Sequence, residues 1–345
     1  MHTKLYQPAL LANTNVVSSP SNTITKITAL WALSESGLGG VMHALKIPFT
    51  GFFLGGFAIV MITLIAFESN KPFKAILQAT LLVILVKAAA SPHSPPMAYI
   101  AVGFQGVIGA LLFKVIPFFR LAACLFGMIA LLESAVQKFL VATLIFGKSI
   151  WEALDAFVAG ILKDLSIFND FSFSFWMIAV YTGVYIIWGF VLGWWASGLP
   201  KVMHEQSAHL LLFYNELTIS KYDDITTPQK RLYSKLIAAV CVLVFIVMVF
   251  ALQGSTSKIW FVFGRTIAAL LTLFYIVNPL VKKWMTIWLN KQRNHKATEL
   301  TSILEGIPEI RTHISPALQL ARKQHKGLAV YKAFVVNFIV FSLYK

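Results

Sequence analysis

Apolar residues occur in long blocks along this chain, parted by short polar breaks. Phe49–Phe67, Lys74–Ala90, Met97–Phe113 and Ile116–Leu132 each approach the length of about 20 apolar residues, with about 17 as a lower bound, that carries a helix across a bilayer. Val136–Phe146 is shorter, and is expected to continue through Trp151–Leu162 after a break at Gly147. The next clear span is Phe171–Trp195, beyond a turn at Ser166–Asp170, and a polar segment follows at Ser197–Lys235. Leu236–Leu252 and Phe261–Val281 then read as a helical hairpin around Gln253–Ser257. Two amphipathic stretches, Lys283–Ile307 and Ile314–His325, precede an apolar end, Leu328–Leu343.

Connections in the first half are short, so neighbouring helices are expected to be antiparallel and to pack as a bundle. Gly51, Gly55, Gly56, Gly103, Gly106 and Gly109 favour close helix contact. The expected fold is all-α, a polytopic helical membrane protein of about 7–9 spans. Its expected parts are a flexible polar lead at 1–23, a Gly-rich bundle at 24–170, and further spans with basic amphipathic helices at 171–345. The boundary near 170 rests on a change from short connections to long polar ones.

Composition supports this reading. The chain is 58% hydrophobic and only 12% charged, against about 25% charged in a typical soluble domain. Too little polar material is present to cover a water-facing surface. The net charge of +15 is uneven: Val281–Lys332 holds ten Lys and Arg against Glu299, Glu305 and Glu309. The positive-inside bias assigns such a segment to the cytoplasm, and it also suits anionic headgroups. The hairpin then puts Ser197–Lys235 on the same side, while the count of the N-terminal helices stays open. No module interleaves these charges with base-stacking aromatics, so nucleic acid is not an expected partner. Cys124 and Cys241 lie in apolar runs without metal-ligand spacing. The first residues lack the pattern of a cleaved secretory signal.

Chemistry is sought first where polar groups enter apolar runs. Ile24–Ile47 is interrupted by Glu35, Gly37, Gly39, Gly40 and His43. It reads as a short, broken or re-entrant helix, or else as an amphipathic helix at the interface. Ser91-Pro92-His93-Ser94-Pro95-Pro96 must end one helix and start another, because proline removes donors and disfavours helix before it. Ser91, His93 and Ser94 there either line a site or form a plain loop. Gln105, deep in an apolar run, needs a partner; an interhelical hydrogen bond and a ligand contact answer equally well. Lys87 lies near a helix end, where snorkelling to the interface explains it. Arg120 reads as interfacial, and Glu133 and Lys138 as solvated near a helix boundary.

Enzyme signatures are missing. His204-Glu205-Gln206-Ser207-Ala208-His209 is one residue too long for the H-E-x-x-H zinc pattern. No G-x-S-x-G, phosphate loop or paired-Asp motif appears, so no enzymatic role, cofactor or metal is expected.

Residues 24–165 resemble the substrate-capturing S component of energy-coupling-factor (ECF) transporters. The likeness lies in the leading small-residue helix TALWALSESGLGGVMHALKIPF, the Gly-rich TGFFLGGFAIVMITLIAF, and the Pro/Ser break before SPPMAYIAVGFQGVIGALLF. It implies a bacterial inner (cytoplasmic) membrane protein that binds a small solute in its bundle. The likeness carries no ligand motif of its own, and the polar residues already singled out, Glu35, His43, Ser91, His93, Ser94 and Gln105, are the expected contacts. It also implies separate ATPase and coupling subunits as partners. Two features depart from it: about half the chain follows the likeness, and Ala321-Arg322 is followed by Lys323 where coupling helices of such transporters carry an Ala-Arg-Gly-type motif. Arg311, Arg322, Lys323 and Lys326 are the expected partner-coupling residues. The alternative is a non-transporting scaffold or assembly subunit of an envelope complex, docking partners through its helical surface.

Overall fold

The computed structural model describes residues 20–39, 50–91, 94–164, 172–214, 233–252 and 256–345. Among them 93% are helical and none forms a strand, so the chain is an all-α protein. The helices are α1 (Pro20–Leu33), continued by a π-turn at Ser34–Leu38, α2 (Thr50–Glu68), α3 (Pro72–Ala90), α4 (Pro96–Val115) and α5 (Phe119–Phe146). Then come α6 (Ser149–Asp164), α7 (Phe173–Tyr214), α8 (Tyr233–Leu252) and α9 (Thr256–Leu271), the last continued by a π-turn at Thr272–Val277. The chain closes with α10 (Asn278–His295), α11 (Ala297–Thr312), α12 (Ile314–Gln324) and α13 (Ala329–Tyr344).

Six of the described helical stretches are long and apolar enough to cross a membrane: Gly51–Glu68, Pro72–Ala90, Pro96–Val115, Phe119–Phe146, Phe173–Ser207 and Ile259–His295. Val240–Val249 and Ala329–Tyr344 are shorter apolar helices. The protein is an integral membrane protein built on a helical bundle.

By internal contacts the chain divides into two compact units. The first takes Met1–Leu131, Ile186–Thr227 and Trp288–Lys345, and the second Leu132–Tyr185 and Pro228–Ile287. The division falls inside α5, α7 and α10, where the sequence pattern suggests one boundary near residue 170.

In the first unit α1 is central, packing on α2, α3, α11 and α13. Ile27, Ala29, Leu30, Trp31 and Ala32 are all buried, so α1 is a core helix and not the amphipathic surface helix its polar residues also allowed. Proline starts both α3 (Pro72) and α4 (Pro96), where its missing N–H has no intrahelical partner to lose. The pair is antiparallel, with Gly103 facing Ile84 and Gly106 facing Thr80. Gly109 faces Ile62 of α2 and Phe126 of α5. Between α5 and α7 the backbones themselves touch: a Cβ on Gly127, Gly189 or Gly193 would overlap the opposite main chain.

The second unit has a small core of Phe146, Ala153, Leu243, Ile246, Val249 and Val262. Gly147 ends α5 with φ of 72°, a conformation that suits glycine. Trp151 then closes the turn by donating from Nε1 to Thr143 Oγ1 at 2.9 Å.

Four expectations are corrected. Ile116–Leu132 and Val136–Phe146 are one 28-residue helix, α5, because Glu133–Lys138 contains neither Gly nor Pro and nothing breaks the ladder. Glu133 and Lys138 are therefore mid-helix. Lys138 donates to Tyr181 Oη at 2.8 Å and Tyr185 Oη at 3.4 Å. The span starting at Phe173 runs through Pro200 to Tyr214, into the expected polar segment. Likewise the hairpin's second arm runs through α9 to His295, and the amphipathic stretch Lys283–Ile307 divides at Lys296, between α10 and α11.

Candidate functional site

Lys87 is drawn into the bundle rather than out to the interface. It does not snorkel: its Nζ lies 2.7 Å from Glu35 Oε2, with Lys87 5% and Glu35 6% exposed. Fifty-two residues separate the partners, so no local signal links them. Glu35 sits on the π-turn that continues α1, where Ser34 donates to Trp31 O (2.8 Å) and Ser36 to Ala32 O (2.6 Å). A π-turn widens the helix by one residue and is often found at functional positions. Lys87 reaches it from the last turn of α3.

The Ser-Pro break folds onto the end of the same helix. Ser91 N–H donates to Lys87 O at 2.8 Å and Ser94 N–H to Ser91 O at 3.0 Å. The hydroxyls of Ser91 and Ser94 are 3.0 Å apart, and Tyr99 Oη donates to Ser91 O at 3.3 Å. Ser91 and Ser94 thus lie at the same end of α3 as the ion pair. His43 and His93 lie outside the described residues.

Gln105 is buried, and its Oε1 has no hydrogen-bond partner among the described residues. The register of α3 and α4 places it level with Thr80–Ile84, whereas Tyr99 is level with the end of α3. Six residues of helix separate Gln105 from Tyr99, about 9 Å along the axis. The bundle therefore holds Gln105 deeper than the Ser-Pro break.

No family model, curated protein or solved structure matches this chain. The site must be read from its own chemistry. Glu35 and Lys87 form a neutralised pair in a bundle of apolar helices. Desolvating both charges costs several kcal/mol per ion, on the order of what their attraction returns, so such a pair is weak evidence of a stabilising device. Ionisable groups inside membrane helices more often mark pathways or ligand sites.

The expected partner-coupling residues occupy a different place. Arg311 ends α11, Arg322 and Lys323 lie in the last turn of α12, and Lys326 follows it; all four are exposed. The apolar faces of these helices are buried: Leu300, Ile303, Ile307 and Ile310 in α11, and Ala317, Leu320 and Ala321 in α12. Those faces pack on α1, α3 and α13 of the same unit. Between α11 and α12, buried His313 shares a 2.8 Å hydrogen bond with Tyr214 Oη. Burial pushes its pKa below 6.5; Glu309 pulls it up, while Lys26 and Lys345 push it further down.

Among the described residues no cluster of His, Cys, Asp or Glu has a metal-holding arrangement. His204, Glu205 and His209 are exposed on α7, and Glu205 lies 3.8 Å from Lys201.

Proposed function

We propose that this chain is a membrane subunit that binds a small solute in its first helical bundle and works within a transport complex. The Glu35–Lys87 pair carries the reading. It is a buried pair of opposite charges at a helix end, beside a π-turn and a Ser-Pro break. A solute that carries both an anionic or accepting group and a cationic or donating group can insert between the two, pairing with Lys87 and with Glu35, so that binding leaves neither charge bare. The cluster of Lys71, Lys74, Lys114 and Arg120 at the opposite helix ends supports a cytoplasmic face there, by the positive-inside bias. The solute site then belongs to the outer half of the bundle.

The filled interior around Trp31, Ile59, Met61 and Phe126 favours a second reading, a scaffold subunit that docks partners through its outer surface. Purification in mild detergent, with mass spectrometry of what co-purifies, separates the two. Transport predicts an enriched small molecule in the wild type that disappears in the Glu35→Gln/Lys87→Met double variant at unchanged thermal stability, together with an ATPase partner. Recovery of envelope proteins alone, with no enriched solute in either protein, overturns it in favour of the scaffold.

A further inference from the structure

A second polar feature of the first unit lies at the other end of α3. There a groove of about 410 Å³ runs between α1, α3 and α11. On α3 its wall is formed by Lys71, Lys74, Gln78 and Leu82, with Ala75 and Ala79 between them. These positions recur at helical spacing and make one continuous face. Eleven residues from Lys71 to Leu82 cover about 16 Å of helix, close to half of a hydrocarbon core about 30 Å thick. Since Pro72–Ala90 is the span, Lys71 stands at its edge and Leu82 near its middle. Polarity falls in the same direction, from two ammonium groups through an amide to an aliphatic side chain.

The charges at the mouth do not cancel. Glu299 is the acidic residue of the lining, and it is engaged by Lys296 at 2.6 Å. No ion pair joins Lys71 or Lys74 to a carboxylate among the described residues. The start of α3 adds the partial positive charge of its first-turn N–H groups. On the facing walls Thr25 and Thr28 of α1 and Ser302 of α11 bring hydroxyls, and Ile303 brings apolar surface.

We infer that this groove binds an anionic phospholipid, its phosphate held by Lys71 and Lys74 and an acyl chain lying against α3 toward Leu82. Charge complementarity at the mouth selects the headgroup, and the one-leaflet depth with its polarity gradient selects an amphiphile over a free anion. The lipid would brace α11, and through it the exposed basic residues, against the bundle.

The test uses the full chain in nanodiscs of phosphatidylcholine with a minor fraction of phosphatidylglycerol, followed by native mass spectrometry of the lipid retained on release. The wild type is expected to retain phosphatidylglycerol, and K71Q/K74Q to lose about thirty-fold in retention, about five-fold for each lysine near the surface. Ala75→Trp, which fills the groove without altering charge, gives a comparable loss. K148Q/K163Q removes the same charge from exposed sites elsewhere and leaves retention unchanged. Equal retention by the wild type and K71Q/K74Q overturns the inference, as does an equal loss in K148Q/K163Q. Displacement of the lipid by millimolar inorganic phosphate, with phosphate bound in its place, overturns it in favour of a free-anion site. None of these outcomes depends on whether a solute binds near Glu35.

Discussion

Two similarly apolar runs, one from each unit, are buried very differently. In the most apolar stretch of Gly51–Glu68, 67% of residues are buried; in that of Ile259–His295, most of which belongs to the second unit, 11% are. Trp260, Phe261, Tyr275, Leu280 and Trp284 are all exposed on that long helical run. The first unit thus has an interior, and it holds Glu35, Lys87, Gln105, Thr28, Thr63 and Thr80. The second presents its apolar residues outward, as a lipid-facing or partner-facing surface does. Polar chemistry inside a membrane protein needs a protected place, and the interior of the first unit provides one.

If the interior of the first unit is what makes the difference, changes there should cost most. Lys87→Met strands Glu35 as a buried unpaired carboxylate, and unfolding in detergent should show a loss of about 3–5 kcal/mol. The Glu35→Gln/Lys87→Met double variant should recover most of it. A double variant as unstable as the single one would show that the pair's charges are not coupled.

Next in size is the closest helix contact. Gly127→Ala places a methyl against the Gly189 main chain, so α5 and α7 must part, at about 1–3 kcal/mol. Alanine at Gly160, which faces open space, is the control and should cost little.

The second unit has a polar tie of its own that sharpens the contrast. Asp155 of α6 accepts hydrogen bonds from Ser174 N–H (2.6 Å), Ser174 Oγ (2.8 Å) and Ser172 Oγ (3.1 Å). Burial opposes its charge, but these donors outweigh that and hold its pKa below 3.8. Its stabilisation is present above the unfolded-state value and is lost as pH falls through the folded one. Being partly solvated, the tie is worth about 1 kcal/mol, and Asp155→Asn should remove that together with its share of the acid sensitivity.

His313 tests the amphipathic helices of the first unit. Its folded pKa is depressed, so the folded state takes up its proton later than the unfolded state. Stability should decline as pH falls through the unfolded-state value near 6.5 and toward the lower folded one, and His313→Asn should flatten that decline in a thermal melt. The smallest effect belongs to the outward surface of the second unit. Trp284→Ala should alter stability by less than about 0.5 kcal/mol. A larger loss measured by unfolding would mean that this face is covered by protein.

Several features were legible without coordinates, each for a local reason. Apolar block length marked α2, α3, α4 and the first part of α7, because crossing or filling a bilayer demands it of contiguous residues. Proline marked the start of α4, and glycine the end of α5. Polar residues within apolar runs singled out Glu35 and Gln105, both of which are buried. What remained hidden was pairing across the chain. A lysine near a helix end looks the same whether it snorkels or meets a carboxylate 52 residues away, and only the packing of α3 beside α1 makes Lys87 a partner of Glu35. The groove at Lys71 and Lys74 arises in the same way, from α11 returning more than 200 residues later to stand beside α1 and α3. Helix length and polarity are properties of neighbours in sequence, so they can be read from it. Burial, charge pairing and cavities depend on which distant faces meet, and that was decided by tertiary packing.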